Sequence, residues 1–272
     1  SMLPPSLAFD DVWLQTLKTV VNQGALIAPR GMQTLELTHH CVVVDTRKPV
    51  MTIPARKLSY SFMVAEAFWI LTGDDQVAGI APYNPNIAQF SDDGKTFFGA
   101  YGPKILDQLP YVVNKLLADP STRQAGLTIW RESPPTTKDV PCTIAIFFSL
   151  RDDQLHTHVF MRSSDLWLGL PYDVFNFSML THLVCAKLNS VSPKVKPLGL
   201  ELIRPGKLYL TAMSSHLYET NWQAANQCLL LGGGTEQPPT PELYWHNPTH
   251  LLMCLERLRH TKPGHQLRWW ER

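Results

Sequence analysis

Two stretches of this chain leave its fold little freedom. Residues 59–72 (SYSFMVAEAFWILT) and 172–188 (YDVFNFSMLTHLVCAKL) carry apolar side chains on nearly every side of a helix. A helix without a polar face has to be covered all round. No run in the sequence approaches the ~18 apolar residues needed to cross a bilayer. Both stretches are therefore read as buried helices inside a protein core, and no membrane contact is expected. A length of 272 residues is ample to enclose them.

The rest of the chain supplies what would cover them. Val12, Leu14, Leu17, Val20 and Val21 recur at roughly helical spacing behind Asp10, predicting a helix over 10–22 that Gly24 closes. The β-branched run TLELTHHCVVV predicts a strand over 34–44. Residues 75–102 are punctuated by Pro, Asn, Asp and Gly and read as a long irregular segment of the kind that lines sites. A helix is expected over 103–118, then strands over 125–131, 141–150 and 154–161, with Arg151-Asp152-Asp153 turning between the last two. Further strands are expected over 197–204 and 207–213, joined through Arg204-Pro205-Gly206. A helix over 216–231 would end at Gly232-Gly233-Gly234, and the Pro-rich stretch 238–248 would lead into a last helix over 249–259. With no repeat or linker in view, the expectation is one α+β domain over 1–272, a mixed β-sheet with buried helices.

Composition narrows the function. The 24 Lys+Arg and 23 Asp+Glu leave a formal charge of +1, which argues against a broad basic face for nucleic acid and leaves room for a small nucleotide. Charged residues are 17% of the chain against a usual value of about 25%, which points to surface covered by another subunit. The five cysteines are scattered and form no CxxC pair, so neither a disulfide framework nor a zinc ribbon is indicated. The N-terminus lacks the basic-then-apolar layout of a signal peptide, and the reading is a reducing, cytoplasmic setting.

Cys142, in Val140-Pro141-Cys142-Thr143, stands at the entrance to an apolar strand; taken alone it is either a buried small hydrophobe or a nucleophile. The segment 162–173, RSSDLWLGLPYD, says more. Arg162, Asp165 and Asp173 sit among Trp, Leu and Tyr, where unpaired charge is costly. This segment and its continuation VFNFSMLTHLV resemble the diagnostic stretch of the thymidylate synthase family, Arg-Ser-x-Asp, x-x-Leu-Gly-x-Pro, then Phe-Asn. Other matches follow in order over 10–228. Pro141-Cys142 resembles the family's nucleophile, 20 residues before Arg162. Glu66 in VAEAFWILTGD resembles its catalytic Glu, Tyr101-Gly102 the Tyr-Gly of its site loop, and His216-Leu217-Tyr218 its sugar-contacting His-x-Tyr. Arg30 is placed like a phosphate-binding Arg. Asp119-Pro120-Ser121-Thr122-Arg123 resembles the loop that lends arginine to the neighbouring subunit's phosphate site.

The resemblance implies a sheet-mediated homodimer, a pyrimidine nucleoside monophosphate as substrate, 5,10-methylenetetrahydrofolate as co-substrate and no metal. It places Arg30, Arg123, Arg162, Ser163, Asp173, His216 and Tyr218 at the nucleotide, and Asp165 and Gly169 at the folate. It implies that Cys142 adds to C6, that Glu66 orders water and moves protons, and that Tyr101 serves a relay at C5 or merely packs. Arg162 would hold phosphate and lower the Cys142 pKa, against an ordinary ion pair; Asp165 would bind the pterin, against capping its own loop.

Four departures qualify it. Asp173 stands where the family carries a base-reading Asn, and Thr143 where it carries His after the nucleophile; both resemble the phage deoxycytidylate hydroxymethylases. Ala88 and Ser91 replace two folate-side tryptophans, and Gln124 a second arginine. Uracil offers N3–H as donor and O4 as acceptor, which suits an amide, whereas cytosine offers an amine and, when protonated, a second donor. A carboxylate accepts from both and has nothing to give uracil O4, so Asp173 reads as a cytosine selector or as a helix N-cap.

The expected reaction is C5 hydroxymethylation of dCMP. Alternatives are methylation of dCMP, action on dUMP or CMP, and a silent nucleotide binder. A phage or antibiotic-pathway source follows from modified-cytosine chemistry. Residues 229–272 diverge, and Trp269-Trp270-Glu271-Arg272 does not resemble the family's apolar tail. His39-His40-Cys41 alternates along its strand and so does not gather a metal; His156 and His158 share a face without a third ligand.

Overall fold

The protein is described by a computed structural model that covers residues 6–191, 194, 196, 202–234 and 236–261. In chain order the helices are α1 (Phe9–Gln23), α2 (Tyr60–Leu71), α3 (Tyr101–Ala118), α4 (Leu170–Asn189), α5 (Trp222–Leu231), α6 (Leu243–His246) and α7 (Pro248–Arg259). The strands are β1 (Ala25–Ile27), β2 (Thr34–Asp45), β3 (Gly126–Thr128), β4 (Thr143–Arg151), β5 (Gln154–Met161), β6 (Ser164–Asp165) and β7 (Arg204–Tyr218). They form a mixed sheet in the order β1-β2-β7-β5-β4-β3, with β6 paired to β7. β5 runs parallel to β7, a pairing that requires a crossover, and α4 lies within the connection. The other neighbours along that path are antiparallel.

The two apolar helices sit where their composition requires. α2 packs against α3, α4 and α7, and α4 against β5, β7 and α6. Phe62, Val64, Ala65, Phe175, Phe177, Leu180 and Val184 are all buried. Ser59 caps α2, its side chain accepting from the Phe62 N–H, and Gly73 turns the chain at φ +74, which a side chain would resist. α1 lays Phe9, Trp13, Leu17 and Val20 into the core, and the Trp13 indole donates to the Leu166 carbonyl at 2.8 Å. No described helix is long and apolar enough to cross a membrane.

Three expectations change. Arg204-Pro205-Gly206 is not a turn: β7 runs straight through it to Tyr218. Pro205 is the second residue of the strand, and Gly206 is there for closeness, since a Cβ would lie 2.5 Å from His156 Nδ1. The helix expected over 216–231 starts only at Trp222, because His216-Leu217-Tyr218 still pairs with β2. Nor is the strand regular at His39-His40-Cys41; His39 has φ +55 and is exposed and unpaired with β7, although the β2–β7 register is the same on either side of it. Most of the strand expected over 197–204, and the tail 269–272, lie outside the described residues. Among the described residues no group of three or more metal-capable side chains occurs.

Candidate active site

A cavity of about 180 Å³ opens between α2, α3, α4 and the loop before β4. Glu66 and Trp69 reach it from α2, Tyr101 from the start of α3, Cys142 from the residue before β4, and Asp173 and Asn176 from α4. Ile87, Phe90 and Phe97 of the long irregular segment give it an apolar side. Four chemically capable side chains anticipated from sequence (Glu66, Tyr101, Cys142 and Asp173) thus converge from four parts of the chain.

Cys142 is tied to Arg162, which follows β5. The Arg162 Nε and Nη2 donate to the carbonyls of Pro141 (3.0 Å) and Val140 (3.1 Å), and Nη2 lies 3.8 Å from the Cys142 sulfur. The guanidinium is therefore fixed to the backbone that carries the thiol. Its field does favour the thiolate, as anticipated, but burial outweighs it, and Asp173, Asp139 and Asp165 add to the rise, so the Cys142 thiol is pushed up.

Burial in the apolar α2 pushes Glu66 up to about 7, while a hydrogen bond from Asn176 Nδ2 to Oε1 at 2.7 Å works the other way. Tyr101 accepts from Thr143 Oγ1 at 2.8 Å, so the residue replacing the family's His anchors this phenol. Its ring stacks on Phe177 at 6.4 Å, and burial with the nearby Asp173 and Cys142 holds its pKa high.

Asp173 is not an N-cap. α4 begins at Leu170 with Gly169 in the cap position, and the Asp173 N–H already bonds the Gly169 carbonyl at 2.9 Å. Its carboxyl faces the cavity, and burial together with Glu66 and Asp165 raises its pKa well above the ordinary value, with no hydrogen bond opposing. Such a group favours the neutral acid. A Cβ at Gly169 would press on the Asp165 carbonyl at 3.3 Å and only touch Asp173 Oδ2 at 3.5 Å.

The remaining anticipated residues lie outside this cavity wall. Ser163 and Asp165 follow Arg162 along the chain, and Asp165 pairs with His216 through β6 and β7. Asp165 Oδ1 accepts from the Trp167 and Leu168 N–H groups, both at 2.9 Å, so one of its oxygens caps its own loop. His216 Nδ1 is 3.2 Å from Ser214 Oγ, which donates to Glu36 at 2.5 Å. With its single hydrogen spent on Glu36, Ser214 accepts from His216, leaving Nε2 as the acceptor of a neutral ring, and burial keeps that ring neutral. Tyr218 packs edge-on against His216 at 5.0 Å. Arg30 sits in an exposed turn at φ +54, at the sheet end where Thr34 pairs with Tyr218. Arg123 is exposed in the loop between α3 and β3, and Gln124 is held by Lys115 at 3.2 Å. Ser91 is buried and bonds within its own loop; its neighbour Phe90, and Ile87 beside Ala88, meet the cavity instead.

Sequence reasoning gave Asn176, Asp139, Trp69, Ile87 and Phe90 no part in the site. For Asn176 a signal existed: it lies three residues after Asp173, on the same helical face.

With this geometry established, the chain was compared with known proteins. The thymidylate synthase family model matches residues 11–250, and the chain belongs to that family. It is similar to a deoxyuridylate hydroxymethyltransferase of Bacillus phage SP01, 31% identical over 236 residues, covering 78% of this chain and 58% of that protein. It is also similar to a deoxyuridylate hydroxymethyltransferase of Delftia phage PhiW-14, 31% identical over 159 residues (52% of this chain, 44% of that protein). A thymidylate synthase of Buchnera aphidicola subsp. Baizongia pistaciae is 23% identical over 231 residues, 80% of this chain and 83% of that protein. The chain spans about half the length of the two phage relatives.

Proposed function

We propose that this protein is a one-carbon transferase that hydroxymethylates C5 of dCMP, with 5,10-methylenetetrahydrofolate as donor and no metal. The observation that carries the reading is the presence of Asp173 and Cys142 on one cavity wall system, with Glu66 and Tyr101 beside them. In a pyrimidine, C6 and C4 flank C5, so a base attacked at C6 by Cys142 turns its C4 substituent away from the sulfur, toward other groups of the same cavity.

The folate supplies the methylene carbon. The apolar side formed by Ile87, Phe90, Phe97 and Trp69 fits a pterin and its aromatic tail. Cys142 adds to C6 as thiolate, and the electron pair gained by C5 makes that carbon nucleophilic. Tyr101 lies beside Cys142 and serves the C5 proton. C5 bonds to the methylene, and loss of the C5 proton with expulsion of tetrahydrofolate leaves an exocyclic methylene. Glu66, titrating near neutrality, receives and returns protons and orders the water that adds to it, and Cys142 leaves as thiolate when the C5–C6 double bond re-forms. Arg162 holds the thiolate and offers its remaining N–H groups to phosphate, together with Arg30 and Ser163. His216 and Tyr218 meet the sugar, and Asp165 and Gly169 the folate.

The unit is a single domain working as a homodimer through the outer sheet face, where Ile144, Phe147, Phe160 and Met213 remain exposed. Arg123, exposed and not part of the cavity lining, serves the partner's phosphate site. The setting is the cytoplasm, including that of a phage host.

Two observations favour dUMP as a second reading: both phage relatives are named for deoxyuridylate, and a neutral Asp173 has a donor as well as an acceptor. Incubation with methylenetetrahydrofolate and dCMP, CMP or dUMP, followed by product mass, decides. Gain of one CH2O on dCMP supports the proposal; turnover of dUMP alone rejects the base assignment.

A further inference from the structure

Asn176 is a polar side chain in an apolar helix, 5% exposed, on the wall that carries Asp173. Its Nδ2 donates to Glu66 Oε1 at 2.7 Å. Its Oδ1 is buried and has no hydrogen-bond partner. Buried polar atoms of folded proteins are paired almost without exception, so this acceptor calls for a donor from outside the chain. Its orientation follows from that bond: Glu66 when ionised only accepts, and when protonated still offers its carbonyl oxygen, so the amide turns its NH2 to Glu66 and its carbonyl away.

In its neutral form, which burial favours, Asp173 alone does not separate the two pyrimidines. The acid donates to cytosine N3 and accepts one hydrogen of the 4-amino group. Turned over, it accepts from uracil N3–H and donates to O4 equally well. What differs is the side of the C4 substituent facing C5. There cytosine carries the second amine hydrogen, and uracil carries a lone pair.

We propose that Asn176 is the specificity-determining residue of the site: Glu66 locks its amide so that Oδ1 accepts the C5-side hydrogen of a 4-aminopyrimidine. Uracil would set its O4 lone pair against that oxygen, leaving both unpaired. The inference rests on the cytidylate reading of the cavity and goes beyond it, since it moves the discrimination from Asp173 to its neighbour one turn along.

The test is calorimetric binding of dCMP and dUMP, without folate, to the wild-type chain and to Asn176→Leu, with Asn176→Ala as the second variant should leucine impair folding. Removal of the acceptor lowers the dCMP:dUMP affinity ratio about tenfold, with dUMP binding no weaker than in the wild type. A residue with a merely structural role would weaken both nucleotides alike and leave the ratio unmoved. A wild type that prefers dCMP, with an unchanged ratio in whichever variant folds, overturns the assignment of Asn176 alone. A wild type that prefers dUMP overturns the cytidylate reading and the acceptor assignment together.

Discussion

Glu66 is a carboxyl destabilised by burial on the cavity wall, and Glu66→Gln measures the cost. Burial raises the folded carboxyl from its ordinary 4.5 to about 7. Between those values the folded chain keeps a proton that the unfolded chain has released, so this residue's contribution to stability falls as pH rises and levels off above the folded value. A shift of two and a half units corresponds to about 3 kcal/mol at most, because each unit is worth about 1.4 kcal/mol, and the carboxyl's contact with a water-accessible cavity reduces this to about 2 kcal/mol. Glutamine keeps the oxygen that accepts from Asn176 and never ionises. In urea unfolding, Glu66→Gln should therefore be close to wild type at about pH 5 and roughly 2 kcal/mol more stable at about pH 8.5. Asp173 titrates in both proteins, and loss of the Glu66 charge relieves part of its own rise, which adds to the alkaline gain. The gain is accompanied by loss of turnover with nucleotide binding retained. A stability difference that is flat with pH, or a variant less stable at the alkaline end, would refute the argument.

Other perturbations isolate other parts of the site. Cys142→Ser should bind nucleotide and show no turnover, measured by calorimetry and product mass; retained turnover would remove the covalent step. Asp173→Asn removes only the ionised form that favours cytosine and keeps a donor and an acceptor, so it should move kcat/KM toward dUMP less than Asn176→Leu does; a larger shift than that of Asn176→Leu would return the discrimination to Asp173. Arg162→Gln deletes the cation 3.8 Å from the sulfur, so the pH midpoint for iodoacetamide alkylation of Cys142 should rise by roughly one unit; an unmoved midpoint would show that Arg162 does not support the thiolate.

Much of this was legible in the sequence because the informative residues are crowded together. The segment 162–173 carries the arginine beside Cys142, the loop carboxylate and the cavity-facing acid within twelve residues, running from the end of strand β5 into the apolar helix α4. Glu66 was legible for the same reason, a single carboxyl in an otherwise apolar helix. What was not legible depended on neighbours distant in sequence. Arg204-Pro205-Gly206 has the composition of a turn, yet β5 passes close enough that only glycine fits beside His156. The positive φ of His39 inside β2 likewise left no mark in the local composition. The sign of the Cys142 shift needed the burial and the three surrounding carboxyls, not the arginine alone. Asn176 looked like one more residue of a buried helix until its carbonyl proved to lack a partner.

The central claim is that the Cys142 sulfur bonds to C6 of a pyrimidine whose C4 amine lies among Asp173 and Asn176. A 5-fluoro substrate tests it, because fluorine at C5 does not leave as the proton does and the covalent adduct is trapped. The account predicts that 5-fluoro-dCMP with methylenetetrahydrofolate raises the intact mass by nucleotide plus folate, that peptide mapping places the adduct on Cys142, and that 5-fluoro-dUMP labels more slowly. Labelling at another cysteine, no labelling, or faster trapping by the uracil analogue would contradict it.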